Sequence, residues 1–312
     1  MSAQPRISVI IPTYNRRHVL PRSIESVLAQ NEPDFELIVV DDASSDDTQS
    51  YLSNLADSRI RVISSERNLG SSGARNLGIE AARADIVAFL DSDDAYLPNR
   101  LSAPLAVFAA APDVVCTLSS AVKVGRKPSY VARVPDLDLP PEAFEWALIC
   151  YLLGVEGTGI TARRGPSLAV GGFRLALTQN EDRDFVIRLT RHGAGRLIAE
   201  PLWEKWWSDD GLSQQWRQTG CELLVYFGAR PEYLTRFRKV AAYLATRVLV
   251  SDLRRGLFAT FGRDIRGFRA AGLIDGDLVR MLRDYREVHR YRRAASKPEA
   301  LAALTGPPES WA

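Results

Sequence analysis

Ile86-Val87-Ala88-Phe89-Leu90-Asp91-Ser92-Asp93-Asp94 is the stretch that decides the fold. Five apolar residues without a polar break read as a strand buried on both faces, which is the habit of parallel sheets covered by helices. The run ends abruptly in three carboxylates. Working outward, the same shape recurs. Phe35 to Val40 is a second apolar strand, ended by Asp41-Asp42, and Ile7 to Ile11 is a third, ended by Pro12. Arg17 to Gln30 carries Val19, Leu20, Ile24, Val27 and Leu28 at helical spacing. Asp41 to Thr48 is a polar turn, with Ser44 and Asp46 as N-caps of a helix reaching Leu55. Arg59 to Ser64 reads as a strand, Asn68 to Gly73 as a Gly/Ser loop and Ala74 to Arg83 as a helix. Alternating strands and helices predict an α/β fold with a mostly parallel sheet. In such sheets ligands bind beyond the carboxyl ends of the strands, where all the polar clusters fall.

Farther on, Asp113 to Val122 fits another strand, Lys123 to Leu139 a Pro-rich loop and Glu142 to Leu153 a helix. Asn180 to His192 fits a helix stopped by Gly193, and Leu197 to Trp207 a last strand. From Cys221 helix follows helix. The expected division is a catalytic domain over residues 1–220 and a helical, basic region over 221–312.

Carboxylate oxygens are the hard ligands that Mg²⁺ or Mn²⁺ prefers, and these ions need only one or two of them beside phosphate oxygens. Asp91-x-Asp93 supplies such a pair. Its bland alternative is a solvated loop with capping aspartates. Asp41-Asp42 offers acceptors for a base N–H or a sugar hydroxyl, with N-capping as the alternative. The segment Asn68 to Asn76 opens a helix, and helix N-termini attract anions. Arg75 adds a fixed charge with two-pronged geometry.

Taken as a set, Val9-Ile10-Ile11-Pro12-Thr13-Tyr14-Asn15-Arg16, Val39 to Asp46, Gly70-x-x-Gly73-Ala74-Arg75-Asn76 and Phe89 to Asp94 closely resemble glycosyltransferase family 2. Gly171-Gly172-Phe173 followed by Glu181-Asp182-x-Asp184 fits the same family. The resemblance covers about residues 6 to 213. It implies a GT-A fold, a Rossmann-like sheet flanked by helices, here with a C-terminal helical extension. It also implies a nucleotide-diphosphate-sugar donor, uracil-based by family habit, and inversion at the anomeric carbon. Donor contacts are implied for Pro12, Tyr14, Asn15, Asp42, Gly73, Arg75, Asp91 and Ser92. Asp93 is the implied metal ligand, with Asp91 as a second, and the cofactor is Mn²⁺ or Mg²⁺. Asp182 stands as the general base, its bland alternative being a partner for a helix N-terminus. The acceptor, a glycan or lipid-linked hydroxyl, falls to Glu181, Trp206 and Trp207. Trp203, Trp206, Trp207 and Trp216 equally suit padding between sheet and helices.

One departure stands out. Many family members place Arg-x-His after the last strand, and here Ser208 takes the histidine's place with Lys205 nearby. A sugar nucleotidyltransferase would need glycines directly after the first strand, and none is there. An inactive nucleotide-sugar- or glycan-binding module should lack some of the carboxylates, and all are present.

Net charge is only +2, but Val225 to Arg293 holds 16 Arg/Lys against 7 Asp/Glu. This basic back suits an anionic membrane surface, solvated helix faces or a homodimer interface. No nucleic-acid module accompanies the charge. Cys116, Cys150 and Cys221 are widely spaced and form no metal or disulfide pattern, so buried reduced thiols are expected. The histidines are isolated. Met1 to Arg6 is short and polar, and the longest apolar run, Ala147 to Val155, is about half a membrane span. These features predict a cytoplasmic protein, with peripheral attachment at the inner face of the plasma membrane as the alternative.

Overall fold

The structure, a computed structural model, describes residues 4–125, 128–177, 179–207, 220–228, 231–308 and 311. They form two compact units. The first is drawn from Met1–Phe144, Val155–Leu175 and Glu181–Gln214, and the second from Glu145–Gly154, Ala176–Asn180 and Gln215–Ala312.

The first unit is built on one sheet. Its elements run β1 (Ile7–Thr13), α1 (Leu20–Leu28), β2 (Phe35–Asp41), α2 (Thr48–Ser53), β3 (Ile60–Ser64), α3 (Gly70–Ala81), β4 (Ile86–Phe89) and β5 (Ala95–Tyr96). They continue through α4 (Ser102–Ala110), β6 (Val114–Val124), β7 (Tyr130–Ala132), β8 (Leu137–Leu139), the start of α5 (Pro141–Ile149, whose residues from Glu145 belong to the second unit), β9 (Ile160–Arg163), α6 (Arg164–Ala169), α7 (Glu181–Leu189) and β10 (Ala194–Trp206). Strand order is β3-β2-β1-β4-β9-β6-β10-β5, with β7 on β6 and β8 on β10. β3, β2, β1 and β4 pair in parallel, as do β6 and β10. β9 runs against both β4 and β6. Every residue of β1 and β2 is buried, as their unbroken apolar runs require. The register sets Thr13 beside Asp41, so the polar ends of β1 and β2 are level.

Sequence and structure differ in four places. The Gly/Ser segment is no simple loop, because α3 already starts at Gly70. The Pro-rich stretch holds two short edge strands, β7 and β8. β9 is a strand of four residues, too short for periodicity to reveal. α4, Ser-Ala-Pro-Leu-Ala-Val-Phe-Ala-Ala, is small or apolar nearly all round and so shows no amphipathic stripe.

The second unit is helical. It contains α8 (Gly220–Gly228), α9 (Pro231–Arg236), α10 (Arg238–Arg254), α11 (Phe258–Ala270), α12 (Leu278–Ala295) and α13 (Pro298–Ala302). α12 is capped by Asp277, whose side chain accepts from the N–H groups of Val279 and Arg280. Arg292 holds the carbonyls of Cys150 and Tyr151 at 2.6 and 2.9 Å and the Tyr243 hydroxyl at 2.6 Å. The Trp146 ring N–H donates to Tyr291 at 2.7 Å. Cys116 and Cys150 are buried free thiols, pushed up by burial. Among the described residues no helix is long and apolar enough to cross a membrane.

Candidate active site

The acidic end of β4 is held from three sides. The Asp94 N–H closes a turn onto the Asp91 carbonyl at 3.0 Å. From α1, the Ser23 hydroxyl reaches the carbonyls of Ser92 and Asp94 at 2.8 and 2.7 Å, and Arg22 donates to the Asp93 carbonyl. The third side is the short 3₁₀ turn Gly157–Gly159. There the Thr158 hydroxyl accepts from the Asp91 N–H at 3.1 Å and donates to the Asp94 carboxylate at 2.7 Å. The other Asp94 oxygen accepts from the Trp206 N–H at 3.2 Å. Asp94 is only 2 % exposed. Burial, and then the charges of Asp91 and Asp93, push its carboxyl well above the usual range. Fully buried Arg100 pins the turn in place, donating to the carbonyls of Thr158 and Ile160 at 2.8 and 2.9 Å and to the Thr161 hydroxyl.

Arg75 is the hub. Its guanidinium, 4 % exposed, lies 2.6 Å from Asp91, 3.3 Å from Asp182 and 3.6 Å from Glu181. It also lies over the Phe173 ring at 5.2 Å. That ring stacks on Phe185 at 4.2 Å and meets Phe89 edge-on at 5.1 Å, giving the charge cluster an apolar floor. The Asn76 amide fixes the floor in turn. It donates to the Phe173 carbonyl at 2.8 Å and accepts from the Phe173 N–H at 2.7 Å. Gly172 makes room for this clamp, since a Cβ there would lie 2.2 Å from the Asn76 amide oxygen and its φ is +66°.

Electrostatics follow from burial. Burial opposes the Arg75 charge, yet Asp182, Asp91 and Glu181 together hold it above its ordinary value. At Asp182 burial wins over the pull of Arg75, and with help from the Asp91 charge the carboxyl is raised. Burial and the adjacent Asp182 push Glu181 up to about 7. Asp182 and Glu181 form the first turn of α7, where the helix end favours their ionised forms. At Gly157 an added Cβ would come 2.8 Å from the Arg75 guanidinium and 3.4 Å from Asp182.

The end of β2 is arranged otherwise. Asp42 places one oxygen on the Leu69 N–H and the other on the Gly70 N–H, both at 2.8 Å, and so starts α3. Asp41 accepts from the Ser44 N–H at 3.2 Å, and its second oxygen is buried with no hydrogen-bond partner. Asn15 sits at φ +53°, and its side chain accepts from the Ser45 N–H at 2.7 Å. Asn15 therefore ties the loop after β1 to the loop after β2. Tyr14 is 46 % exposed at the same edge, and Pro12 pairs with Val40 inside the sheet. Gly73 is buried in the first turn of α3, with no space for a side chain against Leu69.

Trp203 is core. Trp206 lies under Arg22 at 4.4 Å and donates to Glu204 at 2.9 Å, while Trp207 is 53 % exposed. Ser208 and Trp216 lie outside the described residues. Lys205 pairs with Glu156 at 2.7 Å. Burial opposes its charge, but Glu156, Asp94 and Asp91 hold it above the ordinary lysine value. The structure thus brings Arg75, Asp91, Glu181 and Asp182 into one cluster. Sequence reading passed over Gly157, Thr158, Arg100 and Glu156, since nothing in their local sequence separates them from an ordinary turn or surface helix.

Among the described residues no three His, Cys, Asp or Glu side chains converge as a metal cage. Asp91 and Asp93 nonetheless fit a hard divalent ion. Burial, and then the neighbouring Asp91, raise the Asp93 carboxyl against the pull of Arg16 and Lys205, so a cation bound there would offset the cost of keeping both carboxylates charged. Mg²⁺-type ions ask for one or two carboxylates and take the remaining ligands from phosphate and water.

Residues 8–164 match the family model of glycosyl transferase family 2. The chain is 43 % identical over 95 residues to the UDP-Glc:alpha-D-GlcNAc-diphosphoundecaprenol beta-1,3-glucosyltransferase WfgD of Escherichia coli, across 30 % of this chain and 38 % of that protein. It is 39 % identical over 143 residues to the succinoglycan biosynthesis protein ExoO of Rhizobium meliloti, across 44 % of this chain and 41 % of that protein. The match spans about two fifths of each of these curated relatives. Among solved structures, S. aureus TarS 1-349 in complex with UDP-GlcNAc aligns with TM-score 0.58 at 19 % identity, over 96 % of this chain and 84 % of that one. The mannosyltransferase PcManGT from Pyrobaculum calidifontis, in complex with GDP-Man and Mn2+, aligns with TM-score 0.57 at 19 % identity, over 97 % and 86 %. These likenesses are of fold, and the fold is GT-A.

Proposed function

The chain belongs to glycosyl transferase family 2, and on that premise we propose that it moves a sugar from a nucleotide-diphosphate donor to a hydroxyl of a glycan or lipid-linked acceptor, with inversion. One observation carries the reading: a buried arginine, a metal-suited carboxylate pair and a raised carboxylate meet beyond the ends of the strands.

The chemistry needs a base for the acceptor proton and positive charge for the leaving diphosphate. Asp182 takes the proton as the acceptor oxygen attacks the anomeric carbon. Its raised proton affinity suits that task, because an ordinary aspartate is a weak base at neutral pH. Asp91 and Asp93 would hold Mn²⁺ or Mg²⁺, and the bound ion neutralises charge on the diphosphate. Arg75 keeps Asp91 and Asp182 apart and in place, and its own positive charge favours the departing phosphate. Tyr14 offers an exposed ring for the base beside the β1 and β2 ends. A UDP-sugar is the favoured donor. TarS was solved with UDP-GlcNAc, and WfgD carries UDP-Glc in its name.

The test is thermal stabilisation by UDP-, GDP-, dTDP- and CDP-sugars, each with and without Mn²⁺, on wild type, Asp93→Ala and Asp182→Asn. Metal-dependent stabilisation by one nucleotide class, lost in Asp93→Ala and kept in Asp182→Asn, supports the reading. Asp182→Asn should then bind donor and lose turnover by about 10³-fold. Full turnover in that variant removes Asp182 as the base, and no stabilisation by any donor defeats the proposal.

A further inference from the structure

The turn between α10 and α11 exposes apolar side chains on a hydrogen-bonded backbone. α10 closes on Gly256, at φ +69°, whose N–H bonds the Leu253 carbonyl at 3.1 Å while the Leu257 N–H bonds the Asp252 carbonyl at 2.9 Å. In this paired closure the residue after the left-handed glycine commonly packs back on the last turn of its helix. Here it does so incompletely. Leu257 is 37 % exposed, Leu253 46 % and the next residue, Phe258, 71 %. All seven residues from 253 to 259 are exposed, and they include Arg254 and Arg255 and no acidic residue.

Single exposed apolar residues are ordinary, but three on one hydrogen-bonded turn are a patch. Its size and charge say what covers it. A stable protein partner buries about 800 Å² on each side, more than one such turn offers. An anionic bilayer needs less. A leucine and a phenylalanine enter the boundary between headgroups and acyl chains, while neighbouring arginines stay with the phosphates. We propose that the α10–α11 turn is an anchor for an anionic lipid surface. This narrows the basic C-terminal region to one short device, and it holds whatever donor the catalytic unit takes.

The full chain should be sedimented with phosphatidylcholine vesicles with and without about 30 % phosphatidylglycerol, at low salt. Wild type is expected to bind the anionic vesicles and not the neutral ones. Leu257→Ser with Phe258→Ser should lower the partition coefficient by about tenfold or more. Arg254→Gln with Arg255→Gln should lower it roughly thirtyfold. Both pairs lie on exposed positions, so thermal unfolding should match wild type. Failure of wild type to bind anionic vesicles overturns the proposal, as does equal binding to neutral ones or equal binding by both variants. Self-association in sedimentation velocity that disappears with Leu257→Ser and Phe258→Ser would make a second copy the occupant, and would overturn it too.

Discussion

The ends of β2 and β4 look alike in sequence, each an apolar strand running into aspartates, and the molecule uses them differently. Asp42 gives both oxygens to backbone N–H groups, and Asp94 gives both of its own to Thr158 and Trp206. Asp91 keeps company with Arg75 instead, and burial with the Asp91 charge raises the Asp93 carboxyl despite the pull of Arg16 and Lys205. An aspartate is free for chemistry only where no helix start or turn has claimed it. The donors nearby, more than the residue type, decide which carboxylates remain.

The sharpest way to break this contrast is to neutralise one carboxylate at each end. Asp91→Asn should lower kcat/KM by about 10²–10³-fold, up to roughly 4 kcal/mol of transition-state stabilisation, with little change in unfolding. Asp42→Ala should instead cost about 2 kcal/mol of stability, because it strips the Leu69 and Gly70 N–H groups at the start of α3. Urea unfolding and steady-state rates measure the two. Unchanged stability with a raised donor KM in Asp42→Ala would mean both ends serve the ligand. A smaller effect tests the brace: Thr158→Val should raise the donor KM about tenfold with kcat less affected, and Thr158→Ser should restore it. Equal loss in Val and Ser variants would assign the effect to packing, not to the hydroxyl bridge.

The smallest effect is in pH. Ionisation of the Glu181–Asp182 pair should give kcat/KM an acid limb near pH 7. Glu181→Gln removes a like charge, so Asp182 ionises more easily and the limb moves to lower pH. A limb that stays put excludes the pair as the titrating group. The stability sign is opposite to that of a salt-bridged acid. With its folded value near 7 and its ordinary value at 4.5, Glu181 binds protons better in the folded state, so its contribution weakens as pH rises through that window.

The strand ends were legible because apolar runs and carboxylates are local signals. So was the Gly-rich motif that opens α3 and carries Arg75 to the acidic end of β4. What was not legible is non-local. The Gly157–Thr158 turn reaches Asp91 and Asp94 from more than sixty positions away. Arg100 carries no local sequence signal and is fully buried, its donors taken up by carbonyls and a hydroxyl. β9 enters the sheet antiparallel between β4 and β6, a placement no periodicity encodes. Sequence reading weighed Asp42 as a donor contact or a cap for the helix that follows Asp46, and missed that its oxygens start α3 from 27 and 28 positions away.

The clamp between Asn76 and Phe173 spans 97 positions, and for a chain emerging from a ribosome that span is time. At ordinary elongation rates roughly ten seconds separate the two residues. Through that interval Arg75 is made and its Asp182 partner is not. A product cut short before residue 181 therefore carries Arg75, Asp91 and Asp93 and lacks the Glu181 and Asp182 carboxylates that complete the cluster.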